Sequence, residues 1–146
     1  MLRNALPARD GFYMPAEFEP QDGVLLVWPT RPGSWGKNPR ATQDAFCEIM
    51  RAVSESERVF LAVNREHFSE ALERAGAFAT VLEIASDDAW ARDIGPTFVT
   101  NGAEARGISW RFNAWGGTVN GLYDDWAKDD AFAEAFCEAV GATCCD

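Results

Sequence analysis

Before residue 90 the chain alternates short apolar runs with longer amphipathic stretches. Residues 23–28, 58–63 and 79–84 are almost wholly apolar and are bounded by turn-forming or charged residues, which suits strands buried on both faces of a parallel sheet. Between the first two runs, Asn38-Pro39 reads as a helix cap with a first-turn proline, and Ala45, Phe46, Ile49, Met50 and Val53 recur at helical spacing. Asn64 is placed to cap a second helix with Phe68, Ala71, Leu72 and Ala75 inward and Gly76 as its stop. After residue 96 the pattern changes. Residues 97–100 and 107–112 look like strands of a hairpin around Asn101-Gly102. A last helix, capped by Asp124 or Asp125, turns Trp126, Ala133, Phe136, Cys137 and Val140 inward and ends at Gly141, with Asp129 and Asp130 suiting its dipole. No Pro/Ser-rich linker or low-complexity tract divides the series, so residues 1–146 read as one α/β folding unit.

Composition narrows the function classes. With 47% hydrophobic residues the chain is globular rather than disordered. No apolar stretch approaches the ~18 residues of a membrane span, and Arg3, Arg9 and Asp10 interrupt any signal-peptide core, so a cytoplasmic location and no membrane partner are expected. A net charge of −10 disfavours nucleic acid and favours cationic small molecules, although acidity also serves solubility alone. Cys47, Cys137, Cys144 and Cys145 include no C-x-x-C pair, and with a single histidine no zinc-ligand spacing exists. Cys47 and Cys137 fall on apolar helix faces, whereas Cys144 and Cys145, close to residue 146, have no predicted scaffold.

Two segments concentrate the polar chemistry. Asp88-Ala89-Trp90-Ala91-Arg92-Asp93-Ile94-Gly95-Pro96 sets two carboxylates, a cation and an indole before a break in chain direction, and Phe112-Asn113-Ala114-Trp115-Gly116-Gly117 follows a strand. A planar guanidinium wants a carboxylate that accepts a forked pair of hydrogen bonds and an aromatic face beside it. Asp93 and Trp90 supply one of each, although Asp93 by itself reads more readily as a cap for the turn before Gly95-Pro96. Asp88 and Arg92 are spaced for a surface ion pair contributing about 0–1 kcal/mol, or for support of Asp93. Trp115 reads as a core side chain of a tight turn, and Asn113 as an amide that would orient Asp93 if buried beside it. Trp28, Trp35, Trp110 and Trp126 read as core or lid aromatics and His67 as solvent-exposed; Ser54 and Ser56 have no base beside them, and no nucleotide-binding glycine motif occurs.

The two segments have the forms D-x-W-x-R-D-x-G-P and F-N-x-W-G-G, and together with residues 11–20, Trp28-Pro29 and Trp35 the chain resembles the agmatine deiminase and bacterial peptidyl-arginine deiminase family. The resemblance implies a partial pentein β/α-propeller, roughly the first two of five strand-and-helix modules. It implies a hydrolase of linear amidines that converts agmatine to N-carbamoylputrescine and ammonia, in putrescine and polyamine metabolism, without metal or organic cofactor. Asp93 would grip two nitrogens of the guanidinium, Trp90 would shape the pocket, and Asp88, Arg92 and Asn113 would support them. Family members are considerably longer, and their nucleophilic cysteine and catalytic histidine belong to parts without counterparts here. This stretch alone is therefore expected to be inactive, whether it is an N-terminal portion or a short natural protein that binds a guanidine compound or a partner. Arginine or peptidyl-arginine remains an alternative substrate, with residues 14–17 resembling the agmatine-acting branch. An isolated arc of modules would leave apolar flanks, so self-association or pairing with a complementary C-terminal portion is expected.

Overall fold

The computed structural model describes residues 6–146; Arg3 lies outside them. Two compact units divide these residues, one formed by residues 21–91 and the other by residues up to 20 together with 92–146.

In the first unit the three apolar runs become β1 (Val24–Val27), β2 (Val59–Val63) and β3 (Thr80–Glu83), parallel and in that spatial order. Val24 registers with Val59 and Phe60 with Thr80. Central β2 is the most deeply buried because it is paired on both edges, and Leu61, Ala62 and Val63 are fully enclosed. A one-turn helix α1 (Pro32–Trp35) follows β1, then α2 (Arg40–Val53) and α3 (Phe68–Ala75). Met50, Cys47, Ala71 and Ala75 join Trp28, Val59, Leu61 and Val63 in a single core cluster, where two alanines let α3 approach closely. The buried face of α2 is rotated from the expected one: Gln43, Cys47 and Met50 are enclosed while Ala45 and Ile49 are exposed. Gln43 is enclosed because it is bonded on both sides. Its amide N–H donates to the Pro29 carbonyl at 3.1 Å, and its oxygen accepts from Arg74 at 2.7 Å. Arg74 also pairs with Asp44 at 2.6 Å and Glu70 at 2.9 Å and lies 4.9 Å from the Trp28 ring.

Asn64 occupies the N-cap position of a 3-10 turn (Arg65–His67) that leads into α3, but its side chain makes no cap hydrogen bond. Its side chain exchanges two 3.0 Å hydrogen bonds with the backbone of Ser86, closing the end of β2 onto the loop that carries Asp88 and Trp90. His67, expected to be exposed, is half-buried at the end of a short 3-10 turn.

The second unit takes up the chain in a one-turn helix, α4 (Ala91–Ile94), of which Arg92 onward belongs to it. The hairpin of β4 (Thr97–Thr100) and β5 (Ala105–Ile108) follows. Its second strand starts earlier than expected, after a four-residue loop that Asn101 fixes by accepting from the N–H groups of Ala103 and Glu104. After the single turn α5 (Gly117–Asn120), α6 (Ala127–Ala139) packs Phe132, Ala133, Phe136 and Cys137 inward. Neither Asp124 nor Asp125 forms its N-cap, which falls at Trp126 without a side-chain bond; Asp125 accepts from Ala127 N–H at 3.2 Å. Cys144 and Cys145 do have a scaffold: β6 (Thr143–Cys145) runs parallel to β5, giving the order β4-β5-β6, and both cysteines are buried. Gly107 makes this packing possible, since a Cβ there would sit 2.4 Å from Cys137 Sγ. Among the described residues no helix is long and apolar enough to cross a membrane.

Candidate active site

The motif residues fall in both units, and each group is built by contacts within its own unit. In the first, Asp88 is only 3% exposed and serves as a hub. Its Oδ1 accepts from Trp35 Nε1 at 2.7 Å and from Ala89 N at 2.8 Å, and its Oδ2 accepts from Trp90 Nε1 at 3.0 Å and from the Ser34 hydroxyl. Four donors offset the cost of burying the carboxylate. The two indoles it holds lie 5.3 Å apart at 35°, and Trp35 meets Phe46 edge-on at 6.0 Å. Trp90, partly open to solvent, is thus oriented by a buried acid and a tilted neighbouring indole.

In the second unit α4 presents the Asp93 carboxylate to solvent. Its Oδ1 accepts from Trp115 Nε1 at 3.1 Å, and no other described residue bonds it, so Oδ2 is uncommitted. Arg92 projects into solvent and its partner in this unit is Glu17 at 3.9 Å, a pair too exposed to contribute much. Asn113 is exposed rather than buried beside Asp93. Its backbone carbonyl, not its amide, matters locally, accepting from Gly116 N at 3.3 Å and Gly117 N at 2.7 Å.

Trp115 was expected in the core and is 49% exposed. Ala114 and Trp115 have φ of 53° and 62°, two consecutive non-glycine residues in the left-handed region, which costs on the order of 1–3 kcal/mol each. The turn that holds them closes with Leu122 N–H donating to the Ala114 carbonyl at 2.9 Å. Gly116 is required by space, since a Cβ there would lie 2.4 Å from the Asn120 backbone. The Trp115 ring meets Phe112 edge-on at 5.1 Å and Tyr123 at 6.3 Å. Tyr123 in turn donates its hydroxyl to the buried Asp129 carboxylate.

Three of the thiols are disfavoured as nucleophiles by their burial. Burial pushes Cys137 up to about 12, with Cys144 adding to the effect, and burial likewise raises Cys47 and Cys144. No group of three or more metal-ligating side chains occurs among the described residues. A concavity of about 670 Å³ lies against α6 and β6, lined by residues such as Glu134, Cys137 and Thr143, and contains none of the motif residues.

Residues 13–146 match the family described as Porphyromonas-type peptidyl-arginine deiminase. A protein of Selenomonas ruminantium provisionally named an agmatine deiminase is 47% identical over 97% of this chain, and one of Vibrio parahaemolyticus with the same provisional name is 44% identical over 97%. The chain spans 39% of the length of each of these relatives. The solved agmatine deiminase of Enterococcus faecalis superposes with a TM-score of 0.94 at 39% identity, over 99% of this chain and 40% of that one. The two strand-and-helix units are accordingly a partial pentein fold. With nearly all of its residues matched, the chain belongs to the Porphyromonas-type peptidyl-arginine deiminase family.

Proposed function

We propose that this chain is the N-terminal part of an agmatine deiminase-like hydrolase and that Asp93 is its guanidinium ligand. The observation that carries the reading is the Asp93 carboxylate, with Oδ1 aligned by an indole N–H and Oδ2 uncommitted, inside the D-x-W-x-R-D-x-G-P segment. A carboxylate so held accepts two parallel N–H bonds from a planar cation, a charge-assisted fork. Trp90 offers a flat face fixed by Asp88, and the like charge of Arg92 projects into solvent near Glu17. Asn113 supports the turn through its carbonyl.

In this reading a thiolate attacks the guanidinium carbon, ammonia leaves once a histidine has protonated it, and water cleaves the thiouronium to release N-carbamoylputrescine and regenerate the thiol. In this reading the residues described here hold and orient, while nucleophile and acid come from the enzyme's other modules; the burial that pushes Cys47, Cys137 and Cys144 up supports the reading by disfavouring their thiolates. The product is one C–N hydrolysis from putrescine, and free thiols suit a reducing cytoplasm.

The test is N-carbamoylputrescine formation from agmatine. A protein carrying these residues together with the remaining length of the relatives is expected to turn over, and Asp93→Ala to abolish it. Turnover by the 146-residue chain alone, lost on Asp93→Ala, would refute the division of labour. Titration calorimetry showing agmatine bound without any turnover in the longer protein would favour a non-catalytic guanidine-binding role, and preferential turnover of peptidyl-arginine would reassign the substrate.

A further inference from the structure

We propose that Trp115 is a positioning residue for the deimination, setting the orientation of Asp93 through its indole N–H, and that Tyr123 and Asp129 brace it; this rests on the reading of Asp93 as the guanidinium ligand. The backbone is the first sign. A bulky aromatic in the left-handed region, next to a second non-glycine residue there, persists only where the surroundings impose it. Core packing does not impose it, since half of the ring is in solvent. What the turn achieves is to aim Nε1 at Asp93 Oδ1 at 3.1 Å.

The ring is then held by two neighbours that also meet each other, 6.4 Å apart. Phe112 and Tyr123 meet it at 86° and 88°, the edge-to-face arrangement that fixes a ring's tilt. Tyr123 is itself tied to Asp129, which is buried at 1% exposure, and the Phe112 N–H donates to Asp130 at 2.8 Å. The loop carrying Trp115 is therefore anchored at two points to the start of α6. A polar anchor inside the core transmits position better than an apolar contact, because its hydrogen bond has one geometry.

The consequence for chemistry is the plane of a carboxylate. An aspartate on an exposed single-turn helix samples several χ2 angles, whereas a fork to a guanidinium needs both oxygens in the plane of the two nitrogens. One N–H on Oδ1 selects that plane and leaves a lone pair on Oδ1 and both on Oδ2 for the ligand.

The experiment is a double-variant cycle in the protein extended to the length of its relatives: parent, Trp115→Phe, Asp93→Asn and both together, with kcat and KM for agmatine. Trp115→Phe is expected to raise KM and to lower kcat/KM by about tenfold, the loss expected for a hydrogen bond to a charged group. The same change in the Asp93→Asn background is expected to have almost no further effect. An equal loss in both backgrounds, or none in either, overturns the proposal. An Asp93→Asn protein with unchanged kcat/KM instead overturns the reading of Asp93 itself. Should Trp115→Phe fail to fold, a benzothienylalanine at this position keeps the ring shape, replaces only the N–H, and gives the same two decisions.

Discussion

The value of Asp88 and Trp115 lies in single donated protons, and that is why neither was readable from the sequence in full. The family motif marks both positions, but the donors around Asp88 come from Ser34 and Trp35, more than fifty residues away. In the sequence Trp115 reads as core because a tight turn at Gly116-Gly117 would pack it inward; its positive φ instead directs it to Asp93. Replacing Asp88 with Ala would leave two indole N–H groups and a hydroxyl without their acceptor, and a loss of about 2–4 kcal/mol in urea unfolding is expected. The cysteines give a pH prediction. Cys137 is ordinarily near 9 and is held up to about 12, so the folded state keeps its proton where the unfolded chain gives it up. Its contribution to stability is therefore complete below pH 9 and is lost as pH rises from 9 toward 12. Chemical denaturation across that window is expected to show falling stability, with a shallower fall in Cys137→Ala.

The strands were readable because a buried parallel strand needs a short, unbroken apolar run, and three such runs occur at β1, β2 and β3. The helix faces were read less well. On α2 the count of apolar residues favoured Ile49, whereas the observed face is set by Gln43, a polar residue buried only because Pro29 and Arg74 bond it. A pattern of hydrophobicity cannot register a satisfied amide. β6 was missed for a related reason: its three residues carry no alternation, and it is a strand only because β5 pairs with it. The rotation of α2 makes a comparison. Met50→Ala is expected to cost about 2–5 kcal/mol and Ile49→Ala less than about 1 kcal/mol, read from denaturant midpoints at constant m-value. Equal costs would mean that the face expected from the sequence is the one in use. Gln43→Ala, which strands the Pro29 carbonyl and one Arg74 N–H, is expected to fall between them at about 1–3 kcal/mol.

The second unit exposes Tyr13, Met14, Phe18, Trp110, Val119 and Leu122, each by more than half of its surface. Large apolar side chains left this open in one unit of a 16.1 kDa chain drive association, which a net charge of −10 opposes only through screened repulsion. The balance depends on salt. At low ionic strength the mutual repulsion of acidic copies is strongest; added salt shortens its range to about 8 Å at 0.15 M and leaves the apolar attraction intact. The isolated chain is thus expected to be nearest to monomeric in dilute buffer and to self-associate as salt rises, with light scattering at micromolar concentration reporting the mass. Phe18→Ser together with Val119→Ser is expected to shift the onset to higher salt without changing the unfolding midpoint, since both side chains are already in solvent. If the extended protein, by contrast, shows the same salt-driven association as these residues alone, its additional length does not cover the exposed side chains, and the expectation that neighbouring modules pack against them fails.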